Sequence, residues 1–123
     1  MNSNTNSNKI LNFKFKKHQR ALDYALLQIK ESPIFPYVKN IIVYGSCARG
    51  EEKWDSDLDL LLVTSDIVEK NDNLRMASRL LQGNCFLPGI DEAEVDMHII
   101  NISTWTNKNT TYLNEIRKDG IKL

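Results

Sequence analysis

Asp57, Asp59 and Asp96 are the residues of this sequence whose type and spacing point most directly to chemistry. From Asp57 to Thr64 the chain alternates, so that in an extended strand Asp57, Asp59, Leu61 and Val63 share one face and Leu58, Leu60 and Leu62 the other. The run from Val95 to Ile102 opens in the same way, with Asp96, His98 and Ile100 on one face and Val95, Met97 and Ile99 on the other. If the two strands are neighbours, three carboxylates converge near their ends. Like charges that close raise one another's pKa or repel, and a cation relieves them. Carboxylate ligands without a Cys or His cluster suit Mg²⁺ or Mn²⁺, and Mg²⁺ commonly completes its octahedron with substrate phosphates.

Gly45 and Ser46 supply the other half of a phosphate site. A glycine directly after an apolar run lets the backbone approach a ligand closely, and consecutive amides with a serine hydroxyl can cradle phosphate oxygens, the more so if a helix begins there. Arg49 adds a permanent cation, either as a phosphate contact or as an ion-pair partner for Glu51, Glu52 or one of the aspartates. Together these parts suit nucleotidyl transfer. Two metal ions about 3.5 to 4 Å apart would bridge the aspartates to a bound triphosphate, an acceptor hydroxyl would attack the α-phosphorus, and Asp96 would take its proton. Two other motifs fail. Asp55, Asp57 and Asp59 mimic the start of a calcium loop, but Leu60 and Asp66 stand where that loop needs glycine and glutamate. Gly45 and Gly50 have the spacing of a P-loop, but Glu51 replaces its lysine.

These residues need a scaffold. Ala21, Leu22, Ala25, Leu26 and Ile29 give Lys16 to Glu31 the stripe of an amphipathic helix ended by Pro33 and Pro36, with His18 on its surface. Ile41 to Tyr44 reads as a buried strand stopped by Gly45, and Ser46 to Ser56 as a loop. Asp66 or Asp72 caps a helix carrying Leu74, Ala77, Leu80 and Leu81. A last helix runs from a cap at Ser103 or Thr104, through Trp105, Tyr112, Leu113 and Ile116, to a stop at Gly120. Trp54 is a base-stacking platform or a loop anchor, Trp105 and Tyr112 are core or partner-facing, and His98, on the face of Asp96, is read as a structural histidine ahead of one that approaches the substrate. The order helix, strand, strand, helix, strand, helix predicts an α/β (α+β) fold, a small mixed β-sheet with helices on one face.

Length and composition agree with one soluble domain. The chain has 123 residues, 41% hydrophobic and 26% charged, with a polar, disordered lead-in expected over residues 1–12 and a single domain over 13–123. A formal net charge of zero gives no overall positive field, so nucleic acid is not an expected partner. No apolar run approaches the roughly 18 residues needed to span a bilayer, and the start has no secretion-signal pattern, so a cytoplasmic location is expected. Cys47 and Cys85 lack the spacing of a zinc site or a disulfide scaffold.

The segment G-S-C-A-R-G-E-E-K-W-D-S-D-L-D-L, with Val95-Asp96 as a later strand, resembles the signature of the polymerase-β-type nucleotidyltransferase superfamily, and most closely its minimal nucleotidyltransferases. The resemblance covers roughly Asn40 to the C-terminus. It implies a nucleotidyltransferase core that uses ATP or another nucleoside triphosphate, in which Asp57, Asp59 and Asp96 hold two Mg²⁺ ions. Many minimal members are antitoxins that adenylylate a tyrosine of a small helical HEPN-type toxin, which makes such a toxin the expected partner. Longer relatives modify aminoglycoside hydroxyls with an added helical domain that this sequence lacks, so a protein partner or a homo-oligomer is expected to complete the site. A small-molecule adenylyltransferase and a non-catalytic binding module of the same fold are the alternatives.

Overall fold

The computed structural model describes residues 10–123. Helix α1 (Lys16–Glu31) has the bounds expected from its apolar stripe and buries Ala21, Leu22, Ala25 and Ile29. It ends at Ser32, whose amide donates to Ile29 O, and a 3₁₀ turn over Phe35–Tyr37 leads into β1 (Val38–Tyr44). There follow α2 (Gly45–Arg49), β2 (Leu58–Thr64), α3 (Ile67–Lys70), α4 (Asp72–Asn84), β3 (Val95–Asn101), α5 (Ile102–Asn107), α6 (Thr111–Asp119) and β4 (Ile121–Lys122). The strands form one mixed sheet in the order β3-β2-β1-β4, with β1 antiparallel to β2 and β4, and β2 parallel to β3.

β2 lies inside the sheet, and its side chains divide as the alternation requires. Leu58, Leu60 and Leu62 join Val43, Met97 and the buried stripes of α1 and α4 in one cluster. Leu61 and Val63 join Ile42 in a second cluster that Leu113 and Ile116 of α6 cover from the opposite side. The mixed sheet is therefore as expected, but its helices are not confined to one face: α1 and α4 pack on one side and α5 and α6 on the other. The reason is that both faces of β2 are apolar beyond Asp59, and each must be removed from water.

The element ends also differ from the sequence reading. Asn71, rather than Asp66 or Asp72, caps α4 by accepting from Leu74 N at 3.0 Å. Asp66 instead accepts from Ser103 N and Oγ at 3.1 and 2.5 Å, tying the start of α3 to α5. The single C-terminal helix is two, capped by Asn101 and Thr110, because the Thr110 hydroxyl accepts from Leu113 N and restarts the helix after a polar corner. Arg117 holds that corner, stacking on the Trp105 ring at 4.8 Å and donating to Lys108 O at 2.8 Å. Of the lead-in read over residues 1–12, residues 1–9 lie outside the described ones, and Leu11 packs against the first core cluster.

β4 returns the chain to β1 through Gly120, where there is no room for a side chain. A Cβ there would stand 2.5 Å from Ile116 O and 2.7 Å from Ile42 Cγ2. Gly120→Ala is expected to cost about 1 to 3 kcal/mol, because the closest atom is backbone and cannot swing away. A urea midpoint equal to that of the parent chain would contradict this.

Candidate active site

Register places two of the predicted aspartates side by side. In the ladder Asp59 is level with Tyr44 on β1 and with Asp96 on β3, so all three side chains leave the same face of the sheet. That is the α5/α6 face, at the end of β2 where the chain enters it. Asp59 is half-buried, and Asp96 and Asp57 are exposed. Asp57 lies one residue before β2, where Leu58 N donates to Glu94 O at 2.8 Å and the Cys47 thiol donates to Asp57 O at 3.6 Å.

Burial first, and then the charges of Asp96 and Asp57, push the Asp59 carboxyl up to about 6. Among the described residues no cation forms an ion pair with Asp57 or Asp59, and Asp96 has only the His98 imidazole at 3.3 Å. His98 and Arg49 offset the repulsion only in part, and clustered carboxylate oxygens of this kind fit a hard divalent cation. Asp57 does not join the other two in a closed cage: among the described residues no three His, Cys, Asp or Glu side chains stand ready to hold a metal ion.

The turn after β1 fits against this pair. Gly45 has φ +74°, and a Cβ on it would fall 2.3 Å from Asp59 Oδ2, so only glycine lets the carboxylate lie against the start of α2. The segment read as a loop from Ser46 thus begins with a five-residue helix, closed by Gly50 in the left-handed conformation while Glu51 N donates to Ser46 O at 2.9 Å. Ser46 is half-buried on its first turn. Arg49 pairs with Glu51, Nε to Oε1 at 2.8 Å, with both side chains largely in solvent. The same arginine lines a cleft of about 260 Å³ with Tyr44, Gly45, Tyr112 and Asp119.

Several residues at or beside this site were not assigned there from the sequence. The Tyr44 and Tyr112 hydroxyls are 2.7 Å apart. Burial holds both protonated above their ordinary range, and Asp59 and Asp96 add to the effect. His98, read as structural, is exposed and meets the Tyr112 ring edge-on at 5.9 Å. The alternation had put His98 on the Asp96 face, which was the available signal, whereas Tyr112 reaches the site only through the packing of α6. Trp54 is anchored by Lys17, whose ammonium lies 4.1 Å from the ring centroid, and by Phe15. Cys47 is buried, and burial, followed by Glu52, pushes its thiol up to about 12, which keeps it a neutral donor. Among the described residues no helix is long and apolar enough to cross a membrane.

The fold is a mixed α/β sheet that sets paired carboxylates against a strand-glycine-helix turn. The chain belongs to the nucleotidyltransferase domain family, whose sequence profile matches residues 26–119. The match includes the end of α1, residues 26–31, beyond the segment in which the motif resemblance was legible. A crystal structure of a Sulfolobus solfataricus chain assigned as a nucleotidyltransferase is similar in fold, with a TM-score of 0.55 and 24% identity over 87% of this chain and 82% of that one. A crystal structure of a toxin–antitoxin with AMP-PNP aligns with a TM-score of 0.46 and 16% identity over 80% of this chain and 68% of that one. No curated protein matches the sequence.

Proposed function

We propose that the chain transfers a nucleoside monophosphate, AMP from ATP, to an acceptor hydroxyl, and that the acceptor is a tyrosine of a small helical HEPN-type toxin which the chain neutralises. The observation that carries the chemistry is the pairing of Asp59 with Asp96 on one sheet face against Gly45. The resemblance of the motif to minimal nucleotidyltransferases supports the acceptor and the partner.

In this reading Asp59 and Asp96, with the exposed Asp57, are the residues that would hold Mg²⁺. Bound Mg²⁺ would neutralise charge on the triphosphate and on the attacking and leaving oxygens. The residues of the chain do the remaining work. The Gly45-Ser46 turn lets the β- and γ-phosphates approach the backbone, and Ser46 donates to them. The acceptor oxygen bonds to the α-phosphorus, the bond to the bridging α–β oxygen breaks, pyrophosphate leaves, and the acceptor proton passes to the Asp96 carboxylate. Arg49 reaches the phosphates at small cost, because an exposed pair such as Arg49–Glu51 contributes little to stability.

Incubation with α-labelled ATP, Mg²⁺ and the co-purified partner is expected to label the partner. No label on any protein, or equal labelling by Asp57→Asn, would refute the reading. Arg49→Ala is expected to raise the KM for ATP about three- to tenfold, with the melting temperature unchanged. An unchanged KM would leave Arg49 with its Glu51 pair alone.

A further inference from the structure

His18 is where the structure departs furthest from the expectation of a helix-surface residue: it is fully buried in the first turn of α1. Its Nε2 lies 2.8 Å from Ser56 O, and since a carbonyl can only accept, the ring donates from Nε2. Nδ1 then has no hydrogen-bond partner among the described residues. Phe13 and Phe15 enclose the ring, with centroids 6.3 and 5.8 Å away. Beside it a second buried contact joins the same two segments: Glu52, 2% exposed, accepts from Lys14 N at 2.9 Å.

Ser56 immediately precedes Asp57, and the carbonyl that His18 holds belongs to the peptide plane that also contains Asp57 N. Fixing that oxygen fixes the plane from which the Asp57 side chain departs. Cys47 holds the next carbonyl, that of Asp57 itself, and the Ser56 hydroxyl accepts from Lys53 N at 2.8 Å. A buried imidazole with one nitrogen left without a described partner carries a desolvation cost, and among aromatic neighbours a phenyl ring would fill the space without that cost. Retaining the donor makes sense if the direction of the Ser56 carbonyl matters to the site.

We propose that His18 is the positioning residue for Asp57, anchoring from α1 the peptide that aims this carboxylate at the substrate. The proposal rests on the nucleotidyl-transfer reading for its catalytic consequence, but not for the clamp itself.

The test uses the full chain with His18→Phe, His18→Gln and His18→Asn. Phenylalanine fills the space without a donor, glutamine carries an N–H to about the reach of Nε2, and asparagine falls short of it. Expected for His18→Phe are amide exchange accelerated about tenfold over residues 53–58 alone, and kcat with Mg-ATP lowered about ten- to a hundredfold, the range seen when a ligand's supporting residue is removed. The KM for ATP should stay within about twofold, and His18→Gln should recover most of kcat. If His18→Phe does not fold, the contrast of glutamine with asparagine carries the same comparison. Parental exchange and kcat in His18→Phe would overturn the proposal. So would equal losses in all three variants with exchange raised throughout α1, which a purely structural role predicts. Absence of transfer by the parent chain would overturn the functional reading alone, and the exchange comparison would then decide the clamp.

Discussion

Asp59→Asn is expected to lower nucleotide transfer at least about a thousandfold while making the fold more stable. The two effects have one cause. Asp59 sits half-buried between Tyr44 and Asp96 without a cationic partner among the described residues, and its carboxyl is pushed up to about 6 by burial, then by Asp96 and Asp57. A carboxyl whose pKa is higher in the folded than in the unfolded chain binds a proton more tightly when folded. It therefore contributes no penalty well below the unfolded value of 3.8; the penalty grows as pH rises from there through about 6 and is constant above. Asparagine keeps the shape and removes the charge. At pH 7 the gain should be about 1 to 2 kcal/mol after allowance for the solvent that still reaches this group, a rise of a few degrees in Tm. Near pH 4 only a minor part of the gain should remain, and below about pH 3 it should vanish. A variant less stable than the parent at pH 7, or one that transfers nucleotide at the parental rate, would contradict the account.

The second large effect is expected at Gly45, with Gly50 as its control. Both have left-handed backbones, φ +74° and +71°, so alanine strains both by about 1 to 2 kcal/mol. Their surroundings differ. Among the described residues nothing lies within 4 Å of a Cβ on Gly50, whereas a Cβ on Gly45 would stand 2.3 Å from Asp59 Oδ2. Gly50→Ala should therefore lower stability and leave most of the activity. Gly45→Ala should lose activity about a hundredfold or more, since even a 1 Å displacement of a catalytic group can cost about that factor. Similar activities in the two variants would show that Asp59 yields without consequence.

Much of the fold was legible because it depends on short stretches of chain. The stripe from Ala21 to Ile29 predicted α1 with its observed bounds, and the alternation in β2 separated Leu58, Leu60 and Leu62 from Leu61 and Val63 as the two clusters do. The caps were less legible: Asp66 and Asp72 are as suitable as Asn71 by type, and the contact of Asp66 with Ser103 joins residues 37 positions apart. The second helical layer was missed for the same reason. A buried stripe on α6 says that the helix packs, but not on which face of the sheet.

The faces that Asp59 and Asp96 take in their strands, and the glycine after β1, followed from the sequence alone, because alternation and backbone freedom are properties of neighbouring residues, whereas Asp57, expected to open β2, lies one residue before it. The pairing that sets Asp59 level with Asp96, the approach of its carboxylate to Gly45, the arrival of Tyr112, and the burial of His18 behind Asp57 were decided by tertiary structure. Each joins segments distant in sequence, and their register is set by the need to bury both faces of β2 together.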